Sequence, residues 1–283
     1  MRVLQAAILT LGLLTGTGSV AEVTHPDHTR KSSTVDGKQL DFPPPPAPGE
    51  WVLVFHDEFD GDSIDRSEWS ETSSSLRDHG QGNRGQNNQI EWNTFENLEA
   101  GGGILTMNAR REPHVSPSGW EYPWTGSMIN SSPGFTFTYA YIEERSRLPR
   151  APGFWPAFWT WQAPGGMTHQ EIDVYEYWSG WIPGRYLSTT HPWGDGKWIH
   201  YEKHNTAADE WNVYGADIRP DGITFYLNGR VVHQTANAPT EPMNIISNLA
   251  VEAKNRPTVD HAVKEVDYIR AWKRKGEPDA VRP

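Results

Sequence analysis

Apolar and polar residues alternate in short bursts along most of this chain. Trp51-Val52-Leu53-Val54-Phe55 is an apolar run, and Gly103-Ile104-Leu105-Thr106-Met107-Asn108-Ala109 alternates with period two. So does Gly222-Ile223-Thr224-Phe225-Tyr226-Leu227. Period two sends successive side chains to opposite faces, so each run predicts a half-buried β-strand. Asn228-Gly229 separates the third run from Arg230-Val231-Val232. Both central residues of a type I′ turn need positive φ, which Asn and Gly tolerate, so a hairpin is predicted here. Val266 to Trp272 supplies a last strand. Helical periodicity of 3.6 extends nowhere beyond about ten residues. The pattern predicts an all-β domain, a sandwich or a barrel.

The ends read differently. Arg2 is followed by a mostly apolar stretch to Leu14 and then by the small-residue site Ser19-Val20-Ala21. That stretch is too short to span a bilayer. Residues 1–21 therefore read as a signal peptide, with a mature chain beginning at Glu22, and the protein as secreted and extracellular. Residues 22–49 are polar and end in Pro43-Pro44-Pro45-Pro46-Ala47-Pro48-Gly49, a Pro-rich linker. The globular domain is expected over 50–274, and 275–283 as a flexible tail.

Composition narrows the function. The 283 residues carry a net charge of −11, from 36 acidic against 25 basic side chains. Nucleic acids and anionic membranes both need basic surface, so neither is expected as a partner. An anionic polysaccharide is disfavoured less strongly, since a local basic patch would serve it. There are no cysteines, which excludes disulfides, zinc-thiolate sites and thiol catalysis. Fourteen Trp, 10 Tyr and 9 Phe are an unusual load. With 26 Gly and 22 Pro they suggest short strands, many turns and an aromatic-lined surface. A monomer is the expected state.

The chemistry centres on His169-Gln170-Glu171-Ile172-Asp173-Val174-Tyr175-Glu176-Tyr177-Trp178. Its Ile, Val and Tyr make it a strand, yet three acids lie within six residues. Like charges this close repel, so the acids need a joint purpose or full solvation. In a regular strand Glu171 and Asp173 share a face and Glu176 points the other way. A one-residue bulge at Val174-Tyr175 returns Glu176 to their face. The two Glu Cα atoms are then ~13 Å apart at ~3.3 Å per residue. Two side chains leaning together close that to roughly the ~5–5.5 Å of a retaining glycosidase pair. Glu171 would then attack an anomeric carbon, Glu176 would protonate the leaving oxygen, and Asp173 would orient and tune. A solvated strand face or a divalent-cation site would use the same acids.

Aromatic residues flank the strand. Pro152-Gly153-Phe154-Trp155-Pro156-Ala157-Phe158-Trp159-Thr160-Trp161 lies upstream, and Tyr175, Tyr177, Trp178 and Trp181 overlap or follow the acids. Indole faces stack on the C–H faces of sugar rings, so paired carboxylates among Trp residues suit a polysaccharide. Each single Trp has burial in the core as its ordinary alternative.

Glu171-Ile172-Asp173-Val174-Tyr175-Glu176 resembles the Glu-x-Asp-x-x-Glu signature of glycoside hydrolase family 16. Phe55-His56-Asp57-Glu58-Phe59-Asp60-Gly61 resembles the family's opening strand and turn, and Gly153 to Trp159 the strand before the catalytic one. Tyr139 to Pro149, Asn248 to Val251 and Val266 to Arg270 resemble further segments in the same order. The resemblance implies a jelly-roll β-sandwich of two antiparallel sheets with a concave cleft. It implies endo-acting, retaining hydrolysis of a β-linked polysaccharide with no cofactor needed for catalysis. Glu171 carries over as nucleophile, Glu176 as acid/base and Asp173 as auxiliary acid. Glu143, Arg145, Trp155, Trp159, Trp178 and His191 carry over as substrate-binding residues. Glu58, a carbonyl near Gly102 and Asp267 match the ligands of a structural calcium, a set the chain would also show as two plain acids at strand ends.

The substrate signals diverge. Trp155-Pro156-Ala157-Phe158-Trp159 is closer to glucanases, while the Thr168-His169-Gln170 approach is closer to red-algal galactanases acting on agar, porphyran or carrageenan. A β-1,3- or mixed-linked glucan is the preferred expectation. Transglycosylation on the same site is an alternative, with Trp178, Trp181 and Trp193 as acceptor platforms. A non-catalytic carbohydrate-binding sandwich is another, but it has no use for the acid trio. Residues 80–88 either edge the cleft or form a disordered connector.

Overall fold

The alternating runs fold as strands. In chain order they are β1 (Trp51–Asp57), β2 (Glu91–Asn93), β3 (Leu98–Gly101), β4 (Ile104–Arg110), β5 (His114–Val115), β6 (Glu121–Tyr122), β7 (Trp124–Asn130), β8 (Ala140–Arg147), β9 (Phe154–Gln162), β10 (Gln170–Glu176), β11 (Arg185–Pro192), β12 (His200–Asn205), β13 (Asn212–Arg219), β14 (Gly222–Leu227), β15 (Arg230–Thr235), β16 (Met243–Val251) and β17 (His261–Arg274). This computed structural model describes residues 42–166, 170–192 and 200–276. The expected signal peptide, most of the linker and the end of the tail lie outside the described residues, as do Trp193 and the approach residues Thr168 and His169.

Local pattern decides local structure where the alternation is clean. In β4, Leu105, Met107 and Ala109 are fully buried. Asn228 and Gly229 between β14 and β15 take φ of 50° and 75°, both positive as a type I′ turn demands. The last strand is longer than Val266 to Trp272, because its first half pairs with β4 and its later part with β8, across a bulge between Val266 and Tyr268.

The strands run β12-β11-β10-β9-β16-β7-β4-β17-β8-β13-β14-β15. The expected jelly-roll sandwich is present, with its two layers continuous through β7. That strand pairs with β16 from Ser127 to Asn130 and with Arg110 of β4 at Thr125. The sheet folds over itself there. One layer carries β12, β11, β10, β9 and β16, and the other β17, β8, β13, β14 and β15.

The core lies between them. Ile172, Val174 and Tyr175 of β10 meet Ile142 of β8, Tyr214 and Ala216 of β13, and Val266 and Ile269 of β17. The Tyr175 and Tyr214 rings are 4.3 Å apart. Full burial of such side chains contributes about 1.5–3 kcal/mol each. The Pro-rich segment departs from its expected role as a tether at its end. Ala47 is buried and its carbonyl accepts from Trp51 Nε1 at 2.9 Å, so the chain is seated on the domain before β1 begins.

Candidate active site

The site begins with an irregularity in β10. Against β9, Asp173 pairs with Trp159 and Tyr175 with Phe158, so Val174 is an extra residue. Against β11, Asp173 pairs with Thr189 and Glu176 with Leu187. This is the expected bulge. Ile172, Val174, Tyr175 and Tyr177 all enter the core cluster. Glu171, Asp173, Glu176 and Trp178 all line the cleft on the other face. Two successive inward residues are the price of three outward acids.

The flanking strands supply the walls by simple alternation. From β9 come Trp155, Ala157, Trp159 and Trp161, and from β11 come Leu187, Thr189 and His191. The cleft they enclose has a volume of about 790 Å³. Trp155 and Trp178 stack with ring centroids 3.6 Å apart. Trp159 Nε1 donates to Asn248 Oδ1 at 2.9 Å, and Trp161 Nε1 to Ser74 Oγ at 2.9 Å. Trp181 and Tyr201 remain 55% and 53% exposed at the cleft, so their faces are open to a ligand. Among the described residues five Trp line the cleft, while Trp69, Trp92 and Trp124 pack inside.

Residues 80–88 edge the cleft. Asn83, Gln86, Asn87 and Gln89 line it. His79, Arg84, Asn87 and Asn88 all have positive φ, between 52° and 60°, a conformation a free chain would avoid. Asp78 anchors this backbone by accepting from Ser116 Oγ at 2.7 Å, Tyr122 Oη at 2.9 Å and Arg84 Nη2 at 3.3 Å. Burial alone would raise its carboxyl, but these donors pull it down to about 2. Gly82 lets the loop pass Tyr122, where a Cβ would sit 2.5 Å from the phenol oxygen.

The acids are electrically coupled. A carboxylate oxygen from each of Glu171 and Asp173 and a ring nitrogen of His191 lie within 4.8 Å of one another. His191 Nε2 and Asp173 Oδ2 are 3.0 Å apart. Burial pushes Asp173 up to about 8, against a hydrogen bond with Glu171 that favours its ionised form. Burial also pushes Glu176 up to about 8, and the Asp173 charge adds to the rise. His191, Thr189 and Trp155 oppose it, with Thr189 Oγ1 donating to Glu176 Oε2 at 3.2 Å. Burial thus favours the neutral form of Asp173, while its hydrogen bond with Glu171 favours the ionised one, so the acids titrate as a set.

Glu143 and Arg145 are not in the cleft, contrary to expectation. Ala140 and Ile142 of β8 point into the core, so Glu143 and Arg145 point away from it, on the outer face of the opposite layer. There Glu143 accepts from Tyr141 Oη at 3.1 Å and Tyr268 Oη at 3.2 Å. Burial raises its carboxyl to about 7 despite Arg270 nearby. The expected calcium ligands belong to the same face and do not fit an ion. Arg270 Nε and Nη2 donate to the two Glu58 oxygens at 2.9 and 2.8 Å. Arg145 Nη1 donates to Asp267 Oδ2 at 2.8 Å. Burial would raise Glu58, but Arg270 and His56 hold it below its ordinary value. Gly102 sits at the exposed β3–β4 turn. A cation here would have to displace two guanidinium groups.

Several cleft residues were not singled out as site residues in the sequence. Period two from Trp155 and Trp159 leads to Trp161, and from His191 back to Thr189 and Leu187. Asn248 and Tyr201 come from strands whose neighbours only the topology reveals.

An open aromatic cleft over a coupled acid trio, carried on a jelly-roll sandwich, defines a glycoside hydrolase that acts on a polysaccharide. The family model described as glycosyl hydrolases family 16 matches residues 56–270, and the chain belongs to that family. It is 27% identical over 274 residues to glucan endo-1,3-beta-glucosidase A1 of Niallia circulans, covering 82% of this chain and 39% of that protein. It is 26% identical over 257 residues to a beta-glucanase of Rhodothermus marinus, covering 79% of this chain and 85% of that one. The solved endo-beta-1,3-glucanase of Pyrococcus furiosus superposes with a TM-score of 0.70 at 26% identity, covering 80% of this chain and 95% of that chain.

Proposed function

We propose that this protein is a secreted, endo-acting, retaining β-glucanase that cleaves β-1,3- or mixed-linked glucan. The β10 bulge carries the reading, because it sets Glu171, Asp173 and Glu176 on one face of an open aromatic cleft. Glu171 attacks the anomeric carbon and forms a glycosyl–enzyme bond. Glu176, raised to about 8 by burial and by Asp173, holds a proton at neutral pH and gives it to the leaving oxygen. Glu176 then takes a proton from the water that breaks the covalent bond, so both carboxyls return to their starting states. Asp173 shares a hydrogen bond with Glu171 and keeps the proton inventory of the trio in order.

The open cleft and the exposed Trp181 and Tyr201 suit internal binding of a long chain. They also suit a sugar acceptor, which would turn part of the flux to transglycosylation. The relatives' printed activities on β-glucans support the choice of glucan. The N-terminal Arg2, apolar stretch and Ala21 support export, tested by whether protein recovered from culture medium begins at Glu22.

The deciding experiment measures reducing-sugar release on laminarin, lichenan, agarose, porphyran and κ-carrageenan, beside a Glu171→Gln control. Release from laminarin or lichenan, lost in the control, is expected. Release from a galactan alone would make the substrate a galactan. Silence on all five with polysaccharide binding intact would make the protein a binding module.

A further inference from the structure

Beneath the cleft, inside the core, lies a pair of charges that the reaction does not use. Glu144 of β8 and Lys264 of β17 both have 0% exposed side chains, with Nζ 3.1 Å from Oε1. Both come from the layer opposite the cleft. Their neutral partners belong chiefly to the cleft layer. Lys264 Nζ donates to the Ala157 carbonyl of β9 at 3.0 Å and to Ser247 Oγ of β16 at 2.6 Å. Tyr175 Oη of β10 donates to Glu144 Oε1 at 2.6 Å. Ser247 Oγ also bonds Glu144 Oε2.

These partners adjoin the site. Tyr175 follows the extra residue of the bulge and precedes Glu176. Ala157 pairs with Glu176 on one side and with Asn248 on the other. Stability alone does not account for such a pair, since well-packed apolar residues in its place are often neutral or stabilising. What it does supply is direction. A regular β10 would turn Glu176 into the core, since a slip of one residue sends every later side chain to the other face. A tyrosine hydroxyl that must reach a buried carboxylate accepts one register.

We propose that Glu144 and Lys264 are positioning residues, which across the core hold the β10 bulge, and with it the Glu176 carboxyl, in register with Glu171. The inference rests on the assignment of Glu176 as proton donor. A misplaced acid fails where the leaving group needs its proton and is little missed where it does not.

The test compares kcat/KM on laminarin with kcat/KM on 2,4-dinitrophenyl β-laminaribioside, whose leaving group departs unprotonated. Tyr175→Phe removes only the hydroxyl. Glu144→Leu combined with Lys264→Met removes both charges together and leaves neither unpaired. Each should lower kcat/KM on laminarin about tenfold, while kcat/KM on the dinitrophenyl substrate, which reports formation of the glycosyl–enzyme and needs no proton, stays near wild type. Equal losses of kcat/KM on both substrates, or a lowered Tm with unchanged laminarin kcat/KM, would make the network purely structural and overturn the proposal. Glu176→Gln in parallel separates the two claims. If it too damages both substrates equally, the acid assignment fails and the positioning role falls with it. If it spares the activated substrate and Tyr175→Phe does not, only the positioning role falls.

Discussion

Thr189→Val should let the enzyme work at higher pH. Thr189 is buried, and its hydroxyl donates to Glu176 Oε2 at 3.2 Å, which favours the ionised acid. Valine fills the same space and removes that donor. A hydrogen bond to a charged group is worth about 1.5–3 kcal/mol. This one is long, and the protonated acid keeps part of it, so about 1 kcal/mol separates the two forms, or about 0.7 in pKa. The proton donor's value then rises from about 8. At pH 9 a group of pKa 8 is about one-eleventh protonated and one of 8.7 about one-third, so the variant keeps roughly three to four times more of its plateau rate. The assay is kcat/KM on laminarin from pH 5 to 10, each variant scaled to its own plateau. Asp173→Asn supplies the opposite sign, because the Asp173 charge raises Glu176 and its loss moves the alkaline limb to lower pH. A limb that stays put in Thr189→Val, or moves the same way in both variants, would refute the reasoning.

Arg270→Met leaves Glu58 buried without its bidentate partner, so stability should fall by about 3–5 kcal/mol. For a domain of this size that is roughly 6–20 °C in Tm, read by thermal denaturation, with kcat per folded molecule unchanged. Because the same arginine already occupies Glu58, adding a chelator should leave the Tm of the wild-type protein where it was. Trp181→Ala removes an exposed platform at the cleft and should raise KM for long glucans about tenfold or less, with kcat on a short activated substrate unaffected.

The catalytic strand was legible because its chemistry and its geometry constrain each other. Three acids in an apolar strand make sense on one face only with a bulge, and the bulge is there between Asp173 and Glu176. The Trp residues of β9 were legible as a wall for the same reason, since period two is a local property. Faces set by distant packing were not. Glu143 and Arg145 fall at the right place in the order of segments, but their parity on β8 turns them outward, where Tyr141, Tyr268 and Asp267 receive them. Glu58 and Asp267 look like free acids until Arg270 and Arg145 arrive, from 212 and 122 residues away. Glu144 and Lys264 are 120 residues apart. Each alone reads as a solvated strand position, and only the folded sheet shows that they share the core. The cleft-lining loop around Asn83 and Asn87 depends on Asp78 and Tyr122, so its composition alone left it open between an edge and a connector.

The central claim is that Glu171 forms the covalent bond. It is tested by incubating the protein with an activated 2-deoxy-2-fluoro-β-laminaribioside, which slows breakdown of the glycosyl–enzyme, and locating the added mass by peptide mapping. The account predicts a single label on Glu171, lost in Glu171→Gln, with the β-anomer as first product from an unmodified substrate. A label on Glu176 or any other residue, or an α-anomer as first product, would contradict it.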